Sequence, residues 1–310
     1  MRKTGSVTDI ASGEVAGRVA EAPVSGLVAE LVAVLESAGV PEPWRVSADI
    51  VAALLDVPRS WASMNRDATV DTGVAIAARS AARRLAAGAP FAYAVGRAQF
   101  RHLSLEVDAR VLIPRPETEV LVDEILSRFR STAEGSGKWG VAVDIGTGSG
   151  AIALSLAAEG RFSRVVATDN SMDALVVANR NASLAGASLR CPVEFRSGSL
   201  LSPVRDIEAR LLVSNPPYVS FGEADGLPAS VRNWEPPTAL YSGSSGLDAT
   251  AAIVQEGASL LASGGILALE VDERRASLVA EMVMTAVGYI DVGVVLDLTG
   301  RERFVFASRA

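Results

Sequence analysis

Residues 141–150 read Val-Ala-Val-Asp-Ile-Gly-Thr-Gly-Ser-Gly, an apolar run that breaks into alternating glycines. Four apolar residues in five, interrupted only by Asp144, predict a buried strand, and the glycines predict a tight turn that opens a helix. Glycine suits that turn because it adopts backbone angles closed to other residues and lets the chain approach a ligand closely. Gly146, Gly148 and Ala151 also satisfy the dinucleotide fingerprint, whose third position admits Ala. About 20 residues on, where that fingerprint places an acidic residue, Asp169 ends the run Arg164-Val165-Val166-Ala167-Thr168. A carboxylate there suits ribose hydroxyls. These features point to an adenosine-containing cofactor without separating NAD from S-adenosylmethionine.

Working outward, strands are predicted over 141–145, 164–168, 192–196, 210–214, 265–271, 290–297 and 302–308. Helices are predicted over 150–159, 172–186, 248–262 and 276–287. Alternating strands and helices make a doubly wound α/β sheet, and the two closing strands, joined without a helix, call for an antiparallel member. Behind the fourth strand stands Asn215-Pro216-Pro217-Tyr218. An Asn side-chain carbonyl accepts one N–H. The Pro216 carbonyl accepts a second on a turn made rigid by two prolines. Tyr218 offers a flat face to a planar group. The plainer alternative is a Pro-rich loop in which Asn starts a turn. Ligands of open α/β sheets sit at the carboxyl ends of the strands. A dehydrogenase has no use for this tetrad there, whereas a methyltransferase acting on an amide or amino nitrogen does. That selects S-adenosyl-L-methionine as the cofactor.

The N-terminal part reads differently. Residues 1–26 are expected to be a flexible tail, 27–89 a helical substrate-docking domain, 90–112 a β-hairpin linker and 113–310 the catalytic domain. Leu27, Val28, Leu31, Val32 and Leu35 recur at helical spacing, and further helices are predicted over Val46–Leu55 and Val74–Leu85. Alternation at Phe100, Leu103, Leu105 and Val107 predicts a hairpin between Tyr93 and Val111, in which His102 takes no role. Thr118 is expected to cap a helix over Val120–Phe129.

Composition removes several function classes. The 310 residues are 49% hydrophobic and carry a net charge of −7, which argues against a broad nucleic-acid footprint. Arg79, Arg83, Arg84 and Arg97 read as a solvated helix face. Cys191 is the only cysteine, which precludes an internal disulfide and implies a cytoplasmic protein. One His and one Cys disfavour zinc. No apolar run approaches the roughly 20 residues of a bilayer span.

Several segments together resemble the release-factor glutamine N5-methyltransferases (the PrmC/HemK family) over residues 27–308. They are Ala89-Pro90-x-Ala92-Tyr93-x-x-Gly96, Ile113-Pro114-Arg115-Pro116-Glu117-Thr118-Glu119, Asp144 to Gly150, and the tetrad. Glu235-Pro236-x-Thr238-Ala239-Leu240, Gly246-Leu247 and Gly300-Arg301-x-Arg303 complete the set. The resemblance implies a Rossmann-like class I methyltransferase with a seven-stranded sheet, and methylation of the glutamine in the Gly-Gly-Gln motif of a peptide-chain release factor. It implies that Gly146, Thr147, Gly148, Ser149 and Gly150 line the cofactor, that Asp169 holds its ribose, that Leu200 lies against its adenine and that Asn215 also borders the cofactor. Asn215 and the Pro216 carbonyl would take the two amide protons, with Pro217 and Tyr218 completing the clamp. The chain departs from the family pattern at Gly198-Ser199-Leu200, where a carboxylate is usual, and at Asp272-Glu273-Arg274-Arg275 after the fifth strand. An N-methyltransferase of a small-molecule amine or amide keeps the same tetrad and is the alternative. A nucleic-acid methyltransferase and a non-catalytic binding module fit less well.

Overall fold

The computed structural model describes residues 22–132 and 137–310. The expected tail therefore lies outside the described residues up to position 21, as do Gly135 and Ser136. Its last residues are ordered: Ala22–Pro23 pairs antiparallel with Thr69–Val70, and helix α1 begins at Val24.

The described residues up to Ala86 form one compact unit and those from Ala87 a second. In the first, α1 (Val24–Ser37), α2 (Pro43–Leu55), the short α3 (Trp61–Met64) and α4 (Thr72–Ala86) bury the apolar stripe read from sequence. Leu27, Leu31, Leu35, Ile50 and Val51 are essentially inaccessible. Helix α2 starts three residues before the predicted point because Pro43 occupies its first turn, where a missing N–H costs nothing.

The second unit opens with a correction. The alternation predicted from Tyr93 begins instead with a helical turn, α5 (Phe91–Val95), which Gly96 ends. The hairpin proper is Arg97–Phe100 against Leu103–Glu106. Helix α6 (Pro116–Thr132) likewise starts earlier than predicted, at a proline, so Thr118 sits inside its first turn and is not its cap.

Seven strands follow: β1 (Val141–Ile145), β2 (Arg164–Asp169), β3 (Val193–Ser197), β4 (Ala209–Ser214), β5 (Leu261–Glu270), β6 (Tyr289–Leu296) and β7 (Glu302–Arg309). They form one sheet of order β6-β7-β5-β4-β1-β2-β3. All neighbours are parallel except β7, which runs antiparallel between β5 and β6. Side chains alternate across the sheet, as the period of a strand requires. Ala142, Leu211, Val213, Phe304 and Phe306 pack one face, under α6 and α7 (Ala151–Glu159). Val143, Ile145, Leu212, Leu267, Leu269 and Val305 pack the other, under α11 (Asp248–Gly257) and α12 (Ala276–Thr285). Helix α8 (Met172–Ala185) follows β2. Between β4 and β5 lie a 3-10 turn over Phe221–Gly226 and two short helices, α9 (Ala229–Arg232) and α10 (Pro237–Leu240), that no periodicity announces. Among the described residues no helix is long and apolar enough to cross a membrane.

Candidate active site

Strand register builds the site. Strand order reverses beside β1, the position at which a doubly wound sheet leaves a crevice. Ile145 is opposite both Thr168 of β2 and Ser214 of β4, so the glycine loop, Asp169 and Asn215 leave the sheet side by side. Ser214 is also opposite Leu269 of β5, which brings Glu270 beside Asn215. Phe304 of β7 is opposite Glu270, which carries Arg303 to the same corner. A cavity of about 470 Å³ opens here, lined by Gly146, Gly148, Asp169, Leu200, Asn215, Pro216 and Pro217 among others.

On the cofactor side, Gly146 and Gly148 have φ of +74° and +53°, and an added Cβ at either would meet nothing within 4 Å. Backbone conformation demands glycine here, and the space beyond it is open. Thr147, Ser149 and Gly150 do not line the cavity. Thr147 is buried and donates its hydroxyl to Asp144 Oδ2 at 2.7 Å, Ser149 is buried, and Gly150 precedes α7 with Leu154 against it. Burial pushes the Asp144 carboxyl up to about 7, opposed by the Thr147 hydroxyl and the Ala153 amide. Asp169 accepts the Gly148 amide on Oδ2 and the Ser171 amide on Oδ1, each at 2.9 Å. The loop and the carboxylate thus hold one another. Leu200 has φ of +49°, a conformation costing a side-chain-bearing residue roughly 1–2 kcal/mol. Such strain concentrates at ligand sites.

On the acceptor side, Asn215 donates from Nδ2 to Thr118 Oγ1 at 3.3 Å, and Thr118 donates to Glu270 Oε2 at 2.7 Å. Glu270 is wholly buried, and Arg303 Nη2 lies 3.5 Å from its Oε1. The same Arg303 nitrogen is 3.4 Å from the Tyr218 hydroxyl, and its guanidinium stands 5.5 Å from the ring centroid. Burial pushes the Tyr218 phenol up. The Asn215 Oδ1 end is the one left unclaimed by this chain of bonds. Sequence reasoning named Thr118 and Arg303 but did not connect them with one another or with Glu270. Glu270 and Arg303 fall at the ends of two predicted strands, which was the available signal, whereas Thr118 arrives from the first turn of α6 and no local pattern announces it.

A second, smaller cavity adjoins the tetrad, with Tyr218, Arg115 and Leu240 in its wall. Arg115 donates to the buried Glu235 at 2.7 Å, tying the Ile-Pro-Arg-Pro segment to Glu-Pro-Pro-Thr. The departure after β5 also has a local role. Arg275 donates to Glu223 Oε2 at 2.7 Å and to the Ser245 carbonyl at 2.9 Å, clamping the turn that follows the tetrad. Glu223 is held down to about 2, burial opposing the Ser220 amide and hydroxyl and the Arg275 charge that together stabilise its ionised form.

The sheet order and the crevice at its switch point define a class I methyltransferase fold. Residues 118–227 match the methyltransferase small domain, and residues 27–96 match the PrmC N-terminal domain. The chain is 38% identical over 285 residues to the release factor glutamine methyltransferase of Moorella thermoacetica, covering 90% of this chain and 96% of that one. It is 36% identical over 284 residues to the enzyme of the same name from Deinococcus radiodurans, covering 92% and 98%. The chain belongs to the release factor glutamine methyltransferase family and is a methyltransferase. Among solved structures, the hMettl16 catalytic domain in complex with an RNA hairpin from the MAT2A 3'UTR superposes with a TM-score of 0.51 at 16% identity. It covers 79% of this chain and 84% of that one, a likeness of fold alone.

Proposed function

We propose that this chain transfers a methyl group from S-adenosylmethionine to the side-chain amide nitrogen of the glutamine in the Gly-Gly-Gln motif of a peptide-chain release factor, in the cytoplasm. The observation that carries the reading is Asn215, whose Oδ1 is the free end of a tied amide at the mouth of a cavity that begins at the glycine loop. The cavity is within the roughly 300–1,000 Å³ typical of cofactor sites. The open backbone at Gly146 and Gly148 and the buried, unpartnered Thr168 hydroxyl beside them fit a polar nucleoside ligand. Asp169 would hold its ribose and Leu200 would lie against its base. The helical residues 27–89 would present the docking surface for the protein substrate.

When bound, S-adenosylmethionine supplies an electrophilic methyl on a cationic sulfur. The protein's task is to aim the nitrogen. A primary amide nitrogen is a poor nucleophile because its lone pair is delocalised. Asn215 Oδ1 and the Pro216 carbonyl accept its two hydrogens, which orients the nitrogen and stabilises the positive charge it gains in the transition state. The nitrogen–carbon bond forms as the carbon–sulfur bond breaks, and one amide proton leaves to solvent afterwards, so no dedicated base is needed. Pro216 and Pro217 keep the carbonyl fixed through the reaction, and positioning of this kind carries most of the acceleration.

Incubation with labelled S-adenosylmethionine and purified release factor, followed by peptide mapping, tests the reading. Label on the Gly-Gly-Gln glutamine is the expected result. Its absence would favour the small-molecule alternative. Asp169→Ala is expected to weaken cofactor binding by about 1–3 kcal/mol, the scale of lost hydrogen bonds to a charge. Titration calorimetry measures this directly. The loss combines the ribose contact with the Gly148 amide, which the substitution leaves without its partner.

A further inference from the structure

We propose that Glu270 is a positioning residue: through the Thr118 hydroxyl, its carboxylate sets which end of the Asn215 amide faces the methyl acceptor. The inference rests on the function proposed above and adds to it the group that makes Asn215 an acceptor.

An ionised carboxylate only accepts, and a threonine hydroxyl has one hydrogen and two lone pairs. Thr118 spends that hydrogen on Glu270 at 2.7 Å, so it meets Asn215 with lone pairs alone. The nearest Asn215 atom must then be Nδ2, 3.3 Å away, and Oδ1 turns toward the cavity. A flipped amide would set oxygen against a hydroxyl oxygen whose hydrogen is committed. It would also present N–H to the acceptor's own N–H. Protonated Glu270 removes this constraint, because the carboxyl can donate to Thr118 and release the hydroxyl hydrogen toward Asn215. Both amide orientations then become available, and one of them is unproductive.

Every element around Glu270 contributes to its titration. Helix α6 brings the Thr118 hydroxyl and the Glu117 carboxylate, the loop after β4 brings Asn215 and Tyr218, and β7 brings Arg303. Burial dominates and pushes Glu270 up to about 7. The Thr118 bond, Arg303 and Asn215 pull it down, and Glu117 pushes it up. Ionisation near neutrality means that methyl transfer should fall as pH drops through that point.

The test uses the full chain, labelled S-adenosylmethionine and purified release factor across the neutral range. Wild-type kcat should rise on a limb centred near 7. Glu270→Gln, an uncharged isostere, should lower kcat several-fold, by the share of the population that takes the unproductive orientation, and lose the limb. Its cofactor Kd should not change, which a merely structural defect would not spare. Thr118→Val should reproduce the loss, and Thr118→Ser, which keeps the hydroxyl, should recover the limb. A Glu270→Gln enzyme with the wild-type rate and limb, or equal activity in Thr118→Val and Thr118→Ser, overturns the proposal. A second readout needs no acceptor. The Asn215 side-chain amide resonance of isotope-labelled protein should titrate near the same point in wild type and stay flat in Glu270→Gln. An unlabelled release factor together with a titrating amide would therefore refute the assigned substrate while supporting this inference, and a non-titrating amide refutes the inference whatever the substrate.

Discussion

Asn215→Ala is expected to lower kcat by roughly 10²–10³-fold, the cost of deleting one preorganised group that acts on developing charge. Cofactor affinity should stay close to wild type, because the glycine loop and Asp169 bond to one another and to Ser171, not to Asn215. Stability should fall only modestly. Asn215 donates to Thr118 at 3.3 Å and also helps to hold the Glu270 carboxylate, which keeps its 2.7 Å bond from Thr118 without it. Such a split between turnover and binding isolates the nitrogen clamp. Asn215→Asp sharpens the test. It keeps an acceptor oxygen but removes the donor to Thr118 and sets a second carboxylate near buried Glu270. Like charges so placed resist ionising together, so this variant should also be slow, and its acid limb should move to higher pH. Single-turnover rates with saturating cofactor measure both variants, and an Asn215→Ala enzyme of normal rate would remove the clamp from the mechanism.

Local pattern makes much of this molecule legible before any coordinates. The buried run at 141–145, the glycine loop and Asp169 lie within one strand-turn-helix-strand unit, so adjacent residues carry the signal. The tetrad is equally local, and its place behind the fourth strand follows from counting. Two kinds of feature stay hidden. The first is contact between distant segments: Thr118 is 97 residues from Asn215 and 152 from Glu270. The pairing of β4 with β5 brings Asn215 beside Glu270, the packing of α6 on the sheet carries Thr118 to both, and sequence alone reads Thr118 as a helix cap. The second is irregular structure. Residues 221–240 fold into short turns of four to six residues, too brief for any period to emerge. Arg275 belongs to both kinds. As sequence it is a departure from the family pattern, and in the fold it is the clamp on Glu223 and the Ser245 carbonyl.

That clamp makes Gly246→Ala the second substitution expected to have a large effect. Gly246 has φ of +79°, and a Cβ built there would lie 2.4 Å from the Tyr218 carbonyl oxygen and 3.2 Å from both the Ser220 amide and the Arg275 guanidinium carbon. The nearest obstacle is backbone, which cannot rotate aside like the end of a side chain. Nor can the loop retreat freely. The Val219 amide donates to Leu240, the Ser242 amide donates to Val219, and Glu223 is held by Arg275. The left-handed backbone costs alanine about 1–2 kcal/mol, and overpacking adds roughly 1–3 kcal/mol. Part of that cost is relieved by moving Tyr218, and the carbonyl of Pro216 lies two residues away on a rigid turn. Misplacing a reacting group by about 1 Å costs on the order of 10²-fold in rate. Gly246→Ala should therefore lose both Tm and kcat. Gly222→Ala is the matched control, four residues past Tyr218 with open space around its built Cβ and no positive φ. It should leave both quantities near wild type. Thermal melts and initial rates on the pair separate strain at the clamp from a general sensitivity of the loop. Equal behaviour of the two variants would show that the close approach of Gly246 to Tyr218 does not hold the tetrad in place.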